Sequence, residues 1–211
     1  MQETVDRFHE LYYSSDSRTW RDTWWMGVRT YKCPLDLWIY QEILSELRPD
    51  LVIECGTAEG GTALYLAHVL DLIGKGHVIT IDVVPPVPPP SHPRIQCVHG
   101  SSTDPAIVRG VEDAARGRGT VLVILDSNHA REHVAEELRL YHRIVTPGSY
   151  LIVEDTNING HPVFRDHGPG PMEAVEEFLS DRDDFLADVS KEKFFLSFNP
   201  GGYLRRRRTG G

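Results

Sequence analysis

Apolar positions along the 211-residue chain fall into two alternating rhythms. Short runs rich in β-branched residues, LVIE (51–54), HVITID (77–82), RIQCVHG (94–100), VLVILD (121–126) and SYLIVED (149–155), have the length and composition of strands. Between them apolar residues recur every three or four positions, which predicts helices. Leu37, Tyr40, Ile43, Leu44 and Leu47 mark the first, with Pro34 in its opening turn and Pro49 beyond its end. Others are predicted over 61–73, 104–116, 133–145 and 171–180. Two further strands are expected near 184–189 and 193–198, joined by SKEK as an antiparallel hairpin at the sheet edge. Alternation of this kind implies an α/β fold: a mostly parallel, Rossmann-like sheet of seven strands with helices on both faces. One domain, 34–204, carries the pattern. The proline-rich VVPPVPPPSHP reads as a stiff loop within it. Residues 1–33 read as an aromatic-rich, irregular segment, with Trp20, Trp24 and Trp25 expected to cover the main body or a ligand. Residues 205–211 read as a basic tail.

Composition narrows the class. A net charge of −9 makes a nucleic-acid backbone a poor partner. The one basic run, Arg205 to Arg208, reads as a solvated terminus. Cys33, Cys55 and Cys97 are odd in number and form no CxxC pair, which argues against a disulfide framework or a thiolate zinc site. No stretch reaches the 18 or so apolar residues that a membrane span needs, and the N-terminus is charged and amphipathic, so a cytoplasmic location is the default expectation.

In open α/β sheets, ligands bind beyond the carboxyl ends of the strands. The acids there are Glu54, Asp82, Asp126, Glu154 and Asp155, a repulsive set unless cations or hydroxyl donors occupy the space between them. The turn after the first of these strands, IECGTAEGG, places Gly56, Gly60 and Gly61 in a G-x-x-x-G-G pattern. That differs from the G-x-G-x-x-G of dinucleotide folds, which disfavours an NAD(P)-dependent oxidoreductase. An acid two residues before the first glycine, with Asp82 at the next strand end placed to accept ribose hydroxyls, resembles the first two motifs of S-adenosylmethionine-dependent methyltransferases. Asp126, Glu154 and Asp155 should converge from neighbouring strands, and hard oxygen ligands suit Mg²⁺. Helix and loop capping is the competing role for these acids.

Four stretches, TWWMGVRTYKCPLDLWIYQEIL, RPDLVIECGTAEGGTALYLA, LDSNHAREHVAEEL and YLIVEDTNINGHPV, resemble the cephalosporin hydroxylase family over about 20–203. Despite that name, its members are similar to metal-dependent O-methyltransferases of natural-product tailoring. The resemblance implies a class I methyltransferase fold and S-adenosylmethionine contacts at Glu54, Gly56, Thr57, Gly60, Asp82, Ser101, Ser102 and Asp126. It also implies Mg²⁺ at Asp126, Glu154 and Asp155. The acceptor implied is a small-molecule hydroxyl: on a glycoside sugar, a β-lactam or a polyketide. No histidine is followed two positions later by Asp or Glu, so the usual start of a non-haem iron oxygenase site is missing. Where related sugar methyltransferases carry an acid two residues past the first metal ligand, this chain has Asn128, which cannot take a proton. That leaves His129 and then His161 as candidate general bases beside Asp126. Trp24, Trp25 and Tyr31 are expected at the acceptor pocket, and loop 157–170 as a lid. A non-catalytic S-adenosylmethionine-binding protein is the third reading, disfavoured by the three acids. Aromatics that look exposed make self-association an expectation.

Overall fold

The β-branched runs become strands and the three-to-four-residue rhythms become helices. A computed structural model describes residues 1–14, 16, 18–84 and 86–208. Helix α1 (Gln2–Ser14) precedes a small antiparallel hairpin, β1 (Trp24–Trp25) and β2 (Val28–Arg29). Met26 and Gly27 turn this hairpin with φ of 48° and 85°, the double positive-φ geometry that suits a right-twisted pair. Then come α2 (Pro34–Leu47), β3 (Leu51–Cys55), α3 (Gly61–Ile73), β4 (His77–Asp82), β5 (Ile95–His99), α4 (Pro105–Ala115), β6 (Val121–Leu125), α5 (Arg131–Tyr141), β7 (Tyr150–Val153), α6 (Pro171–Ser180), β8 (Phe185–Ala187) and β9 (Tyr203–Arg206).

The main sheet has the order β5-β4-β3-β6-β7-β9-β8. Its first five members are parallel, and β9 pairs antiparallel with both β7 and β8. The central β3 and β6 are buried at every position because helices cover both faces. Ile53, Val123 and Leu125 face α4, α5 and α6 through Val108, Val134, Leu138 and Val175. Val52, Leu122 and Ile124 face α2 and α3 through Ile39, Ile43, Leu66 and Leu70. Strand order reverses between β3 and β6, so their carboxyl ends splay and open a crevice.

Three expectations need correction. Residues 193–198 do not form a strand. Asp36, buried in α2, accepts from the Ser197 hydroxyl, the Phe198 N–H and the Tyr203 hydroxyl, which commits that segment to a side chain instead of a ladder. The antiparallel partner of β8 is therefore β9, inside the sheet, and β8 is the edge. Arg205 and Arg206 consequently belong to a strand, and Arg206 donates to the carbonyls of Arg143 and Val145. The basic tail shortens to 207–211, of which 209–211 lie outside the described residues. Finally, 1–33 is not irregular throughout: α1 buries His9 flat against Phe198, ring centroids 5.8 Å apart. Among the described residues, no helix is long and apolar enough to cross a membrane.

Candidate active site

Hydrogen bonds continue past the strand ends and hold the turns in place. Gly56 N–H donates to the Ile81 carbonyl (2.8 Å), Asp126 N–H to Cys55 (2.8 Å), Glu154 N–H to Leu125 (2.9 Å) and Gly100 N–H to Asp82 (2.9 Å). Gly56 has φ +99°, and a Cβ there would lie 1.9 Å from the Asp126 carbonyl oxygen. Only glycine permits this approach. Beyond the edge lies a cavity of about 950 Å³, near the upper end of the usual ligand-pocket range.

On one side of this cleft, Asp82 gathers the turn. Its carboxylate accepts from the N–H groups of Thr57 (2.8 Å) and Ala58 (3.0 Å), and of Val84 (2.8 Å). Gly56, Asp82, Ser101, Ser102 and Asp126 line the cleft. Glu54, Thr57 and Gly60 do not. Glu54 is fully buried beneath the turn, accepting from the Thr80 hydroxyl (2.6 Å), and burial pushes its carboxyl up to about 8. Thr57 shares its hydroxyl with Thr80 (2.6 Å), and Gly60, at φ +86°, begins α3 against Pro90. A network unforeseen from the sequence lies beside Ser102: the Ser127 hydroxyl donates to Glu137 (2.7 Å), 3.0 Å from His133 Nε2. Helical spacing alone marks His133 and Glu137, one turn apart on α5, as neighbours.

On the other side stands the acidic group. Ligand atoms of Asp126, His129 and Asp155 all lie within 4.8 Å of one another. His129 Nε2 is 2.9 Å from Asp155 Oδ2 and 3.5 Å from Asp126 Oδ1. It is buried, yet it makes no aligned hydrogen bond to either. Burial opposes its protonation, but the two carboxylates outweigh it and raise the imidazole to about 10. Asp155 holds φ +55°, strained for a side chain with a Cβ, and its N–H donates to Asn199 (3.1 Å). Glu154 points elsewhere. It accepts from the Tyr40 hydroxyl and lies 2.9 Å from Lys32 Nζ. Lys32 also pairs with Asp126 Oδ2. Burial disfavours the Lys32 charge, but Asp126 and Glu154 prevail and raise its pKa. Nothing in YKCP distinguishes this lysine from a surface one; only the fold brings it here.

His161 is not at this site. Its Nε2 lies 3.0 Å from Glu173, which also accepts from Asn159 and from the Gly170 N–H at the start of α6. These bonds hold it over a second cavity, beside His9. Asn128 lines the cleft, and its side chain accepts from the Ala130 N–H (2.9 Å). Of the aromatics expected at the pocket, Tyr31 lines it and Trp24 and Trp25 do not, while Trp20 does. Trp25 packs on Tyr65 at 4.8 Å, and Trp24 is half-exposed under the Arg29 guanidinium. From loop 157–170, Ile158, Phe164 and His167 face the cleft.

The family model described as Rhamnosyl O-methyltransferase/CmcI matches residues 17–207. The chain belongs to this family. The resemblance drawn from the four motifs therefore holds, and with it membership of an O-methyltransferase family. The Rhamnosyl O-methyltransferase of Mycobacterium tuberculosis (strain ATCC 25618 / H37Rv) is 40% identical over 209 residues, covering 96% of this chain and 84% of the relative. That of Mycobacterium leprae (strain TN) is 38% identical, covering 96% and 90%. Among solved structures, the one described as "cmcI-D160 Mg-SAM" superposes with a TM-score of 0.68 at 22% identity, covering 88% of this chain and 77% of that one. At that identity the likeness is one of fold, and the expected seven-stranded, mostly parallel sheet holds, with β8–β9 as its antiparallel pair.

Proposed function

We propose that this member transfers a methyl group from S-adenosylmethionine to a sugar hydroxyl of a small glycosylated molecule, with Mg²⁺ at the acidic group. The observation that carries this reading is the contact between the two halves of the cleft. The turn that would hold the cofactor touches the backbone of Asp126 at Gly56. Methyl transfer needs donor carbon and acceptor oxygen about 3–3.5 Å apart, so both sites must share one wall. The names of relatives support the rest: rhamnosyl acceptors in the mycobacterial proteins, and Mg with S-adenosylmethionine in the solved neighbour.

The residues fit a divalent cation. Two hard carboxylate oxygens, from Asp126 and Asp155, converge on one place, with the His129 imidazole beside them. When bound, the cation polarises the acceptor hydroxyl, and the cofactor supplies a methyl activated by its positive sulfur. Asp126 and Asp155 are the residues that would hold the ion. Glu154, expected with them, stands behind Asp126, tied to Tyr40 and Lys32. Asp82 retains acceptor capacity for ribose hydroxyls beyond its three backbone bonds. His129 Nε2 is the atom that takes the acceptor's proton. It is positioned by the same carboxylates, whose pull on its pKa weakens once their charge is shared with a cation. Trp20 and Tyr31 line the cleft and bring aromatic groups to where a sugar would lie.

Asp155→Ala should abolish turnover while S-adenosylhomocysteine still binds with near-wild-type affinity by calorimetry. Full activity of that variant in metal-free buffer would sink the metal role, and no binding of S-adenosylhomocysteine to the wild type would remove the cofactor assignment.

A further inference from the structure

The acidic edge already holds one cation. Lys32 is 5% exposed, in the link between β2 and α2. Its ammonium contacts Asp126 Oδ2 and stands 2.9 Å from Glu154 Oε1. The other oxygen of Asp126 faces His129 on the cleft side, with Asp155 beyond it. The three carboxylates are therefore divided between a tethered charge within and an open place without. Lys32 is anchored by more than these ion pairs. Its N–H donates to the Thr23 hydroxyl (3.2 Å), which also receives the Thr30 hydroxyl (2.9 Å), and the next residue but one opens α2. A surface counter-ion could exchange with solvent. This one is tethered to the chain, with its backbone fixed beside the β1–β2 hairpin.

Building on the divalent-ion reading above, we propose that Lys32 is a built-in competitor for the metal: it withholds Glu154 and half of Asp126 from the ion, and it keeps the site assembled when the ion is absent. Mg²⁺ binds through oxygen ligands, so a carboxylate neutralised by an ammonium removes negative charge that would otherwise hold the ion. A fixed positive charge a few ångströms away from a dication weakens it again. Conversely, without Lys32 three carboxylates would crowd one buried edge with no resident cation, and the metal-free protein would be less stable. The consequence is a site that fills and empties at the free-ion levels of solution instead of retaining its ion permanently.

The test is direct Mn²⁺ binding, read by the electron paramagnetic resonance of free Mn²⁺, on full-length wild type, Lys32→Met and Lys32→Gln. Both neutral variants should bind roughly tenfold or more tightly than wild type. Without metal they should melt at lower temperature than wild type, and Mn²⁺ should raise their melting temperature by more. A purely structural lysine predicts the reverse in the binding experiment. Wild type binding Mn²⁺ with both variants equal or weaker overturns the competitor role alone. Failure of all three proteins to bind Mn²⁺ overturns the divalent-ion reading and this one with it. If neither variant folds without metal, refolding in millimolar Mn²⁺ decides: rescue supports the proposal and continued failure overturns it.

Discussion

Replacing Gly56 with alanine tests the contact that joins the two halves of the cleft. The new Cβ would lie 1.9 Å from the Asp126 carbonyl oxygen and 2.6 Å from its carbon, both backbone atoms on another strand end. No flexible side chain can yield, so the turn and the β6 end must part by more than an ångström. The Asp126 N–H holds those ends with a 2.8 Å bond to the Cys55 carbonyl, which would stretch. Two costs add. A left-handed φ with a Cβ costs about 1–2 kcal/mol. Forcing a group into a filled space costs a further 1–3 kcal/mol or so. A total of about 2–5 kcal/mol lowers the melting temperature of a chain this size by roughly 4–20 °C. Gly74→Ala is the internal control. Gly74 has φ +84°, but nothing lies within 4 Å of its Cβ position, so only the conformational cost applies. Differential scanning calorimetry of both variants, with S-adenosylhomocysteine titrated into each, gives the comparison. Gly56→Ala should melt several degrees below Gly74→Ala and lose cofactor affinity, whereas Gly74→Ala should keep it. Equal melting temperatures with intact binding would refute the wedging of this turn against Asp126.

Two further substitutions probe the charges. His129→Gln removes the proton acceptor but keeps a polar side chain, so kcat should fall by roughly 10²–10⁴-fold with S-adenosylhomocysteine affinity unchanged; a kcat within a few-fold of wild type would assign the proton to another group. Glu54→Gln should flatten the dependence of stability on pH. Burial raises the Glu54 carboxyl to about 8 in the folded chain, against about 4.3 unfolded, so the folded state keeps a proton that the unfolded state releases. The contribution of this group is full below about pH 4.3 and is lost as pH rises through about 8. Urea midpoints for wild type should therefore fall relative to the variant between pH 5 and 9, and parallel curves would show that Glu54 ionises normally.

Much of the fold was legible because its signals are local. Helix α6 runs over 171–180 as its periodicity predicts, with Pro171 at its first position, and α3 ends at Gly74 in the left-handed conformation expected of a stop. The acids at the ends of β4, β6 and β7 were placed at the cleft edge by the rule for open sheets. The final strand failed because FFLSF has an apolar pattern as good as any strand's, while the carboxylate that claims its backbone lies on α2, 161 residues from Ser197. His161 failed for a similar reason: a short polar loop carries no period, and Glu173 decides where the imidazole turns.

By itself, then, the sequence determined the alternation of strands and helices, the glycine turn and the family. The first two rest on steric preferences and side-chain periods within a few residues, and the family on the resemblance of four longer motifs. Tertiary structure alone decided which charges share the cleft. Lys32 meets Asp126 across 94 residues, and Tyr40 meets Glu154 across 114. Coulomb energies depend on distance and local dielectric, and neither exists until the sheet closes and excludes water.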